Sequence, residues 1–168
     1  VLKFTREGKF LLQIGKGGVS VDSNDTTHLS RPAGITVYDK TNEVFVADGY
    51  GNRRVIVFDA NTGAYKRHWG AYGNKPDDKA SKARQVTGPG PQQFNTPHGI
   101  EVSNDGIVYV TDRANNRIQT FTLEGKFLKE GFIKRESQGT GTAFGVGLSA
   151  DPAQRFLYIA DGSNERIA

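Results

Sequence analysis

Three side chains of this chain have types and neighbours that could support chemistry: Tyr50, His98 and Arg113. His98 follows Pro97 at the entry to a short apolar segment, so its imidazole could reach the space that entry opens onto. A neutral imidazole binds zinc at about 2.0–2.1 Å, and a site of three nitrogens leaves a fourth position for substrate. Tyr50 lies in a turn. A phenol acts as a general base near neutrality only where a nearby cation favours the phenolate. Arg113, also at a turn, could hold a carboxylate through two parallel hydrogen bonds. Each has a plainer reading: a single polar turn residue, an exposed turn tyrosine and a solvated arginine. His28, in a polar loop, and His68, beside Trp69, are read as structural.

A repeat must position these residues. Pro97 and Gly99 lead into a strand at Ile100–Ser103, and Asn104-Asp105-Gly106 is a turn. A second strand, Ile107–Thr111, ends at Asp112. The polar turn Arg113–Asn116 opens into a third strand, Arg117–Leu123, and Lys126–Phe132 makes a fourth. Asn and Gly supply the positive φ of tight hairpins, and the β-branched and aromatic runs between them suit strands. Residues 31–70 repeat the unit: Pro32 matches Pro97, Gly34 matches Gly99, Asp48 matches Asp112 and Phe58 matches Phe121. One extra residue after Asp48 selects Arg54, rather than Arg53, as the counterpart of Arg117. The unit that begins at Phe144 brings Gly147, Asp161 and Arg166 to the same places. In this register Arg113 matches Gly49 and Gly162, and His98 matches Ala33 and Val146. Both therefore belong to one unit alone. The Asp/Arg pairs recur in every unit, as a catalytic pair would not, and are read as ties between a turn and the next strand.

Units of four strands at this spacing predict an all-β chain, a partial β-propeller. Residues 1–18 end one blade, 19–75 form a blade, 76–91 a long inter-blade loop, 92–142 a blade, and 143–168 the start of another. The alternating apolar residues Ile100/Val102 and Val108/Val110 are expected to face the neighbouring blade. The chain begins at Val1 and stops at Ala168, where the repeat calls for another strand. The expectation is a fragment whose remaining blades come from a parent chain.

Composition narrows the function. The chain has 22 Lys+Arg against 18 Asp+Glu, a net charge of +4. The basic residues are scattered, apart from Lys75, Lys79, Lys82 and Arg84, which are read as a solvated loop, so no nucleic-acid partner is expected. There are no cysteines, which excludes disulfides and thiolate zinc sites. No apolar run approaches the roughly 18 residues that span a bilayer.

The pattern Pro-X-Gly-Ile, Asp-Gly and Val-Tyr-Val-Thr-Asp-Arg-Ala-Asn-Asn-Arg-Ile-Gln resembles the NHL repeat, the building block of six-bladed propellers. The resemblance covers nearly the whole chain and implies about three blades of six. Within that class the chain resembles the peptidyl-α-hydroxyglycine α-amidating lyases. Val46-Ala47-Asp48-Gly49-Tyr50-Gly51-Asn52 is similar to a segment whose tyrosine is catalytic. Gln93-Phe94-Asn95-Thr96-Pro97-His98-Gly99 is similar to one whose histidine binds zinc. Asp112-Arg113-Ala114-Asn115-Asn116-Arg117 is similar to one whose first arginine lies in the active site. The resemblance thus implies Tyr50 and Arg113 as catalytic, His98 as a metal ligand, and zinc as cofactor with two further histidines outside this chain. It also allows a structural calcium, names a peptide as substrate, and favours an extracellular or periplasmic setting. The alternative is a non-catalytic propeller that binds a protein, peptide or glycan on one rim. One departure is Gly51, which stands where the animal enzymes carry cysteine.

Overall fold

The apolar, β-branched runs form short strands wherever Gly, Asn or Asp can turn the chain. The computed structural model describes residues 1–168. β1 (Leu2–Phe4) and β2 (Phe10–Gln13) form a two-stranded sheet. β3 (Gly34–Tyr38), β4 (Glu43–Asp48), β5 (Arg54–Asp59) and β6 (Tyr65–Trp69) form a four-stranded blade. β7 (Pro97–Val102), β8 (Val108–Asp112), β9 (Arg117–Phe121) and β10 (Phe127–Phe132) form the next. β11 (Ala143–Leu148), β12 (Leu157–Asp161) and β13 (Arg166–Ile167) form a three-stranded sheet. Strands adjacent in sequence pair antiparallel throughout each sheet. No helix is long and apolar enough to cross a membrane. This is the expected all-β, partial propeller.

β7 differs from its expected bounds. It begins at Pro97 rather than Ile100 and ends at Val102 rather than Ser103. Pro97 faces Asp112 while Ile100 faces Val110, so β7 holds one residue more than the strand opposite. That is a β-bulge at His98 and Gly99, a device that re-aims a side chain beside a site. β3, the equivalent strand of the preceding blade, keeps an unbroken register.

β4 is buried along its whole length because packed layers lie on both of its faces. Phe45 and Ala47 join a cluster with Ile100, Val102, Val108 and Val110, so the alternating apolar residues do meet the adjacent blade. Val44 and Val46 point the other way, into a cluster with Ile14, Ile56 and Phe58. Each such side chain contributes roughly 1.5–3 kcal/mol by leaving water.

The repeated Asp/Arg pairs fasten the loop that enters each blade. Asp48 Oδ1 accepts from the Ser30 amide, and Asp112 Oδ1 from the Asn95 amide at 2.7 Å. Arg54 donates to Asp48 and to the carbonyls of Ser23 and His28. Arg117 donates to Asp112 and to the Gln93 carbonyl. Arg54, not Arg53, makes this contact, as the register required.

The 76–91 loop is largely exposed, with Lys79, Lys82 and the preceding Lys75 in solvent as the composition suggests, and Arg84 is the exception. Arg84 donates to the carbonyls of Ala114, Ser137 and Gly139. Arg135 reaches back to those of Gln85, Thr87 and Pro89. These two arginines tie the loop to residues 133–142 through exposed and half-buried hydrogen bonds.

Candidate functional site

The three innermost strands, β3, β7 and β11, lie side by side with β7 in the middle. The glycines at their entries allow this. A Cβ on Gly34 would lie 2.4 Å from the His98 carbonyl oxygen, and one on Gly99 2.9 Å from that of Phe144. Gly49 is tighter still, since a Cβ there would come within 1.8 Å of the Pro97 carbonyl oxygen. The turn after β4 thus presses on the entry to β7. The next residue, Tyr50, is carried to His98.

The resulting geometry joins all three candidates. His98 Nδ1 lies 2.9 Å from the Phe144 carbonyl oxygen. A carbonyl only accepts, so Nδ1 carries the hydrogen and Nε2 presents its lone pair. Tyr50 Oη, 3.0 Å from Nε2, donates to that lone pair. Arg113 Nη1 donates to the same Tyr50 oxygen at 3.3 Å. The guanidinium carbon of Arg113 lies 5.3 Å from the centre of the Tyr50 ring and 5.0 Å from that of Phe144. Arg113 Nε is buried and has no hydrogen-bond partner. Burial holds the His98 imidazole below its ordinary range; the Phe144 carbonyl opposes this and the Arg113 charge reinforces it. Neutral His98 is therefore favoured, the form that ligates a metal or accepts a proton.

Phe144 was read from sequence only as the start of a unit. Its carbonyl sets the tautomer of His98 and also accepts from the Thr111 hydroxyl at 2.9 Å, while Thr111 accepts from the Gly99 amide. A backbone acceptor leaves no trace in residue types, and the ring's place beside Arg113 depends on the close packing of β11 on β7. Gly51 also has a local reason: a Cβ there would lie 1.9 Å from Ser30 Oγ. His68 hydrogen-bonds to Tyr65 and Asn24, and His28 to Asp25, away from the site.

His98 is the one candidate metal ligand in this cluster. No group of three His, Cys, Asp or Glu side chains lies close enough to hold a metal ion. The donor set fits one ligand of a zinc site and does not make up a site on its own.

Comparison with known proteins agrees with this fold. The NHL repeat model matches residues 94–121. The chain is 31% identical over 160 residues to the peptidylglycine alpha-amidating monooxygenase of Rattus norvegicus, covering 94% of this chain and 14% of that protein. It is 30% identical over 115 residues to a probable peptidyl-alpha-hydroxyglycine alpha-amidating lyase of Caenorhabditis elegans, covering 68% of this chain and 28% of that protein. The chain thus spans well under a third of the length of either relative. Among solved structures, a gluconolactonase from Xanthomonas campestris superposes with a TM-score of 0.53 at 18% identity, over 83% of this chain and 37% of that one. That likeness bears on the fold alone. The match at residues 94–121 coincides with β7–β9 of the second four-stranded blade, so the chain is a partial β-propeller that carries an NHL repeat.

Proposed function

We propose that this chain carries part of the active site of an amidating-lyase-like propeller. The substrate is a peptide ending in α-hydroxyglycine, and the products are the peptide amide and glyoxylate. One observation carries the reading: the Tyr50 hydroxyl sits between the lone pair of His98 Nε2 and the guanidinium of Arg113. The relatives named above as amidating enzymes support it.

In this reading Tyr50 first gives up its own proton, and the phenolate, which the Arg113 charge favours, then takes the proton of the substrate's hydroxyl. The C–N bond breaks, its electrons stay on nitrogen, and nitrogen takes up a proton to complete the amide. The hydroxyl carbon becomes the aldehyde carbon of glyoxylate. Arg113, whose guanidinium already borders the Tyr50 hydroxyl, orients the substrate carboxylate. Phe144 keeps His98 in the tautomer whose Nε2 faces the site. His98 would supply one zinc ligand through Nε2, whose hydrogen bond from Tyr50 the metal would replace, the remaining blades would supply the others, and bound zinc would act there as a Lewis acid on a substrate oxygen.

The test is glyoxylate release from an α-hydroxyglycine peptide by the full-length parent protein, with zinc content measured in parallel. Tyr50→Phe should cost about 100-fold or more in kcat, and His98→Ala should lower bound zinc. Stoichiometric zinc that survives His98→Ala removes the metal assignment. Turnover that survives Tyr50→Phe removes the base. Absence of any glyoxylate leaves the other reading, a propeller that binds a protein, peptide or glycan on one rim.

A further inference from the structure

Beside Arg113 opens a cavity of about 570 Å³. The 76–91 loop lines one side with Lys82 and Arg84. Residues 138–140 line another, and Asn95, Arg113 and Ala114 complete it. Its walls are fixed. Asn116 Nδ2 donates to the carbonyls of Arg135 and Ser137, and its Oδ1 accepts from the Thr142 amide. The Arg84 and Arg135 staples hold the facing loop.

The charge of this cavity is unbalanced. Arginines that tie this fold together elsewhere face carboxylates: Arg54 faces Asp48, Arg67 faces Glu43, and Arg117 faces Asp112 and Glu130. Three cations line the cavity and no acidic residue does. Arg84 spends its donors on neutral carbonyls, which leaves its charge uncompensated. Arg113 contacts aromatic rings and a phenol oxygen. Lys82 makes no ion pair and is exposed. A confined space with one sign of charge concentrates ligands of the other sign.

From this we infer that the cavity is a subsite for an acidic side chain of the peptide that reaches Tyr50 and His98. Arg113 belongs to both places, so a peptide whose end lies at Tyr50 passes Arg113 into the cavity. A volume near 570 Å³ holds more than a carboxylate, since a water molecule's share of liquid is about 30 Å³. The inference rests on the proposed peptide substrate, and names the sequence that this substrate prefers.

The experiment uses the full-length parent protein and fluorescein-labelled peptides ending in glycine, so that binding is read without turnover. Two peptides differ only at the residue two before the terminal glycine, Glu in one and Lys in the other. The Glu peptide should bind about tenfold tighter by fluorescence anisotropy, as expected for partly exposed charge pairs acting together. Added salt should erode the difference. Lys82→Glu should abolish or reverse the preference. KM values for the matching α-hydroxyglycine peptides should follow the same order. Equal binding of the two peptides overturns the subsite, and so does a preference that Lys82→Glu leaves intact. A preference that depends on Lys82 without glyoxylate release keeps the subsite and rejects the lyase.

Discussion

Breaking the buried aspartate of each blade should destabilise the two blades by different, calculable amounts. Asp112 accepts three hydrogen bonds, from the Asn95 amide, Asn115 Nδ2 and Arg117 Nε, at 2.7, 2.7 and 2.8 Å. All three partners are donors, so the amide group of Asp112→Asn must face a donor in either orientation. At least one buried donor is then unsatisfied, at about 1–3 kcal/mol. Arg117 also loses its nearest counter-charge but keeps Glu130 at 3.2 Å. Asp48→Asn removes more. Arg54 and Asp48 are both fully buried, and the other acceptors of Arg54 are the neutral carbonyls of Ser23, Asp25 and His28. An uncompensated buried charge costs about 3–5 kcal/mol. Asp48→Asn belongs near the top of that range and Asp112→Asn near the bottom. With a urea m-value of about 2 kcal/mol/M, the midpoints should fall by about 2.5 M and 1.5 M. Arg155→Ala, in a pair whose side chains are 69% and 26% exposed, is the control and should cost less than about 0.5 kcal/mol. The reasoning is refuted if Asp112→Asn proves costlier than Asp48→Asn, or if both cost less than about 1 kcal/mol.

Gly49→Ala should separate Tyr50 from His98, because the added Cβ meets the Pro97 carbonyl. A backbone atom cannot rotate away, so stability should fall by about 1–3 kcal/mol, and the His98 ring resonances should shift toward those of Tyr50→Phe; unchanged His98 resonances would contradict the positioning role of Gly49. Stability should also decline on acidification in two steps. His98 and His68 are both held below their ordinary value of 6.5, chiefly by burial; the unfolded chain therefore binds protons first, and stability present above pH 6.5 is lost as pH falls below it. Glu43 is held at about 2, first by Arg67 against its own burial, then by Lys66 and Thr41. Its contribution, about 3 kcal/mol from the shift, is present above its ordinary 4.5 and lost as pH falls towards 2. Urea midpoints from pH 8 to pH 3, with Glu43→Gln for comparison, check both steps, and a flat profile between pH 7.5 and 5 would reject the histidine step.

The repeat was legible because every blade solves the same problem with the same residues. An entry loop needs its amides and carbonyls satisfied, and an aspartate before the turn with an arginine after it does this wherever the spacing recurs. Counting one extra residue sufficed to choose Arg54 over Arg53, whose Nη2 ends buried without a partner. The strand alternation likewise placed Ile100, Val102, Val108 and Val110 against the neighbouring blade. What the repeat could not show was where a strand entry is bulged, as it is in β7 and, between Ala143 and Gly145, in β11. The bulge at His98 depends on how β7 registers with β8, and periodicity carries no sign of it.

The candidate site follows the same logic in reverse. His98 and Arg113 stand out as departures from the repeat and Tyr50 by family likeness, yet nothing in their spacing says that they touch. Contact depends on the missing side chain at Gly49, which lets one blade's turn lie on the next blade's entry. Arg113 has its place for a related reason. At the matching position of the last sheet, Gly162, a Cβ would lie 2.6 Å from the Phe144 ring. That same ring packs against the guanidinium of Arg113 from the other side of the blade interface. One phenylalanine therefore fills the interface, excluding a side chain at Gly162 and supporting the one at Arg113. A propeller made of near-identical blades gains a unique site at the interface where the repeated small residue is replaced on one side only.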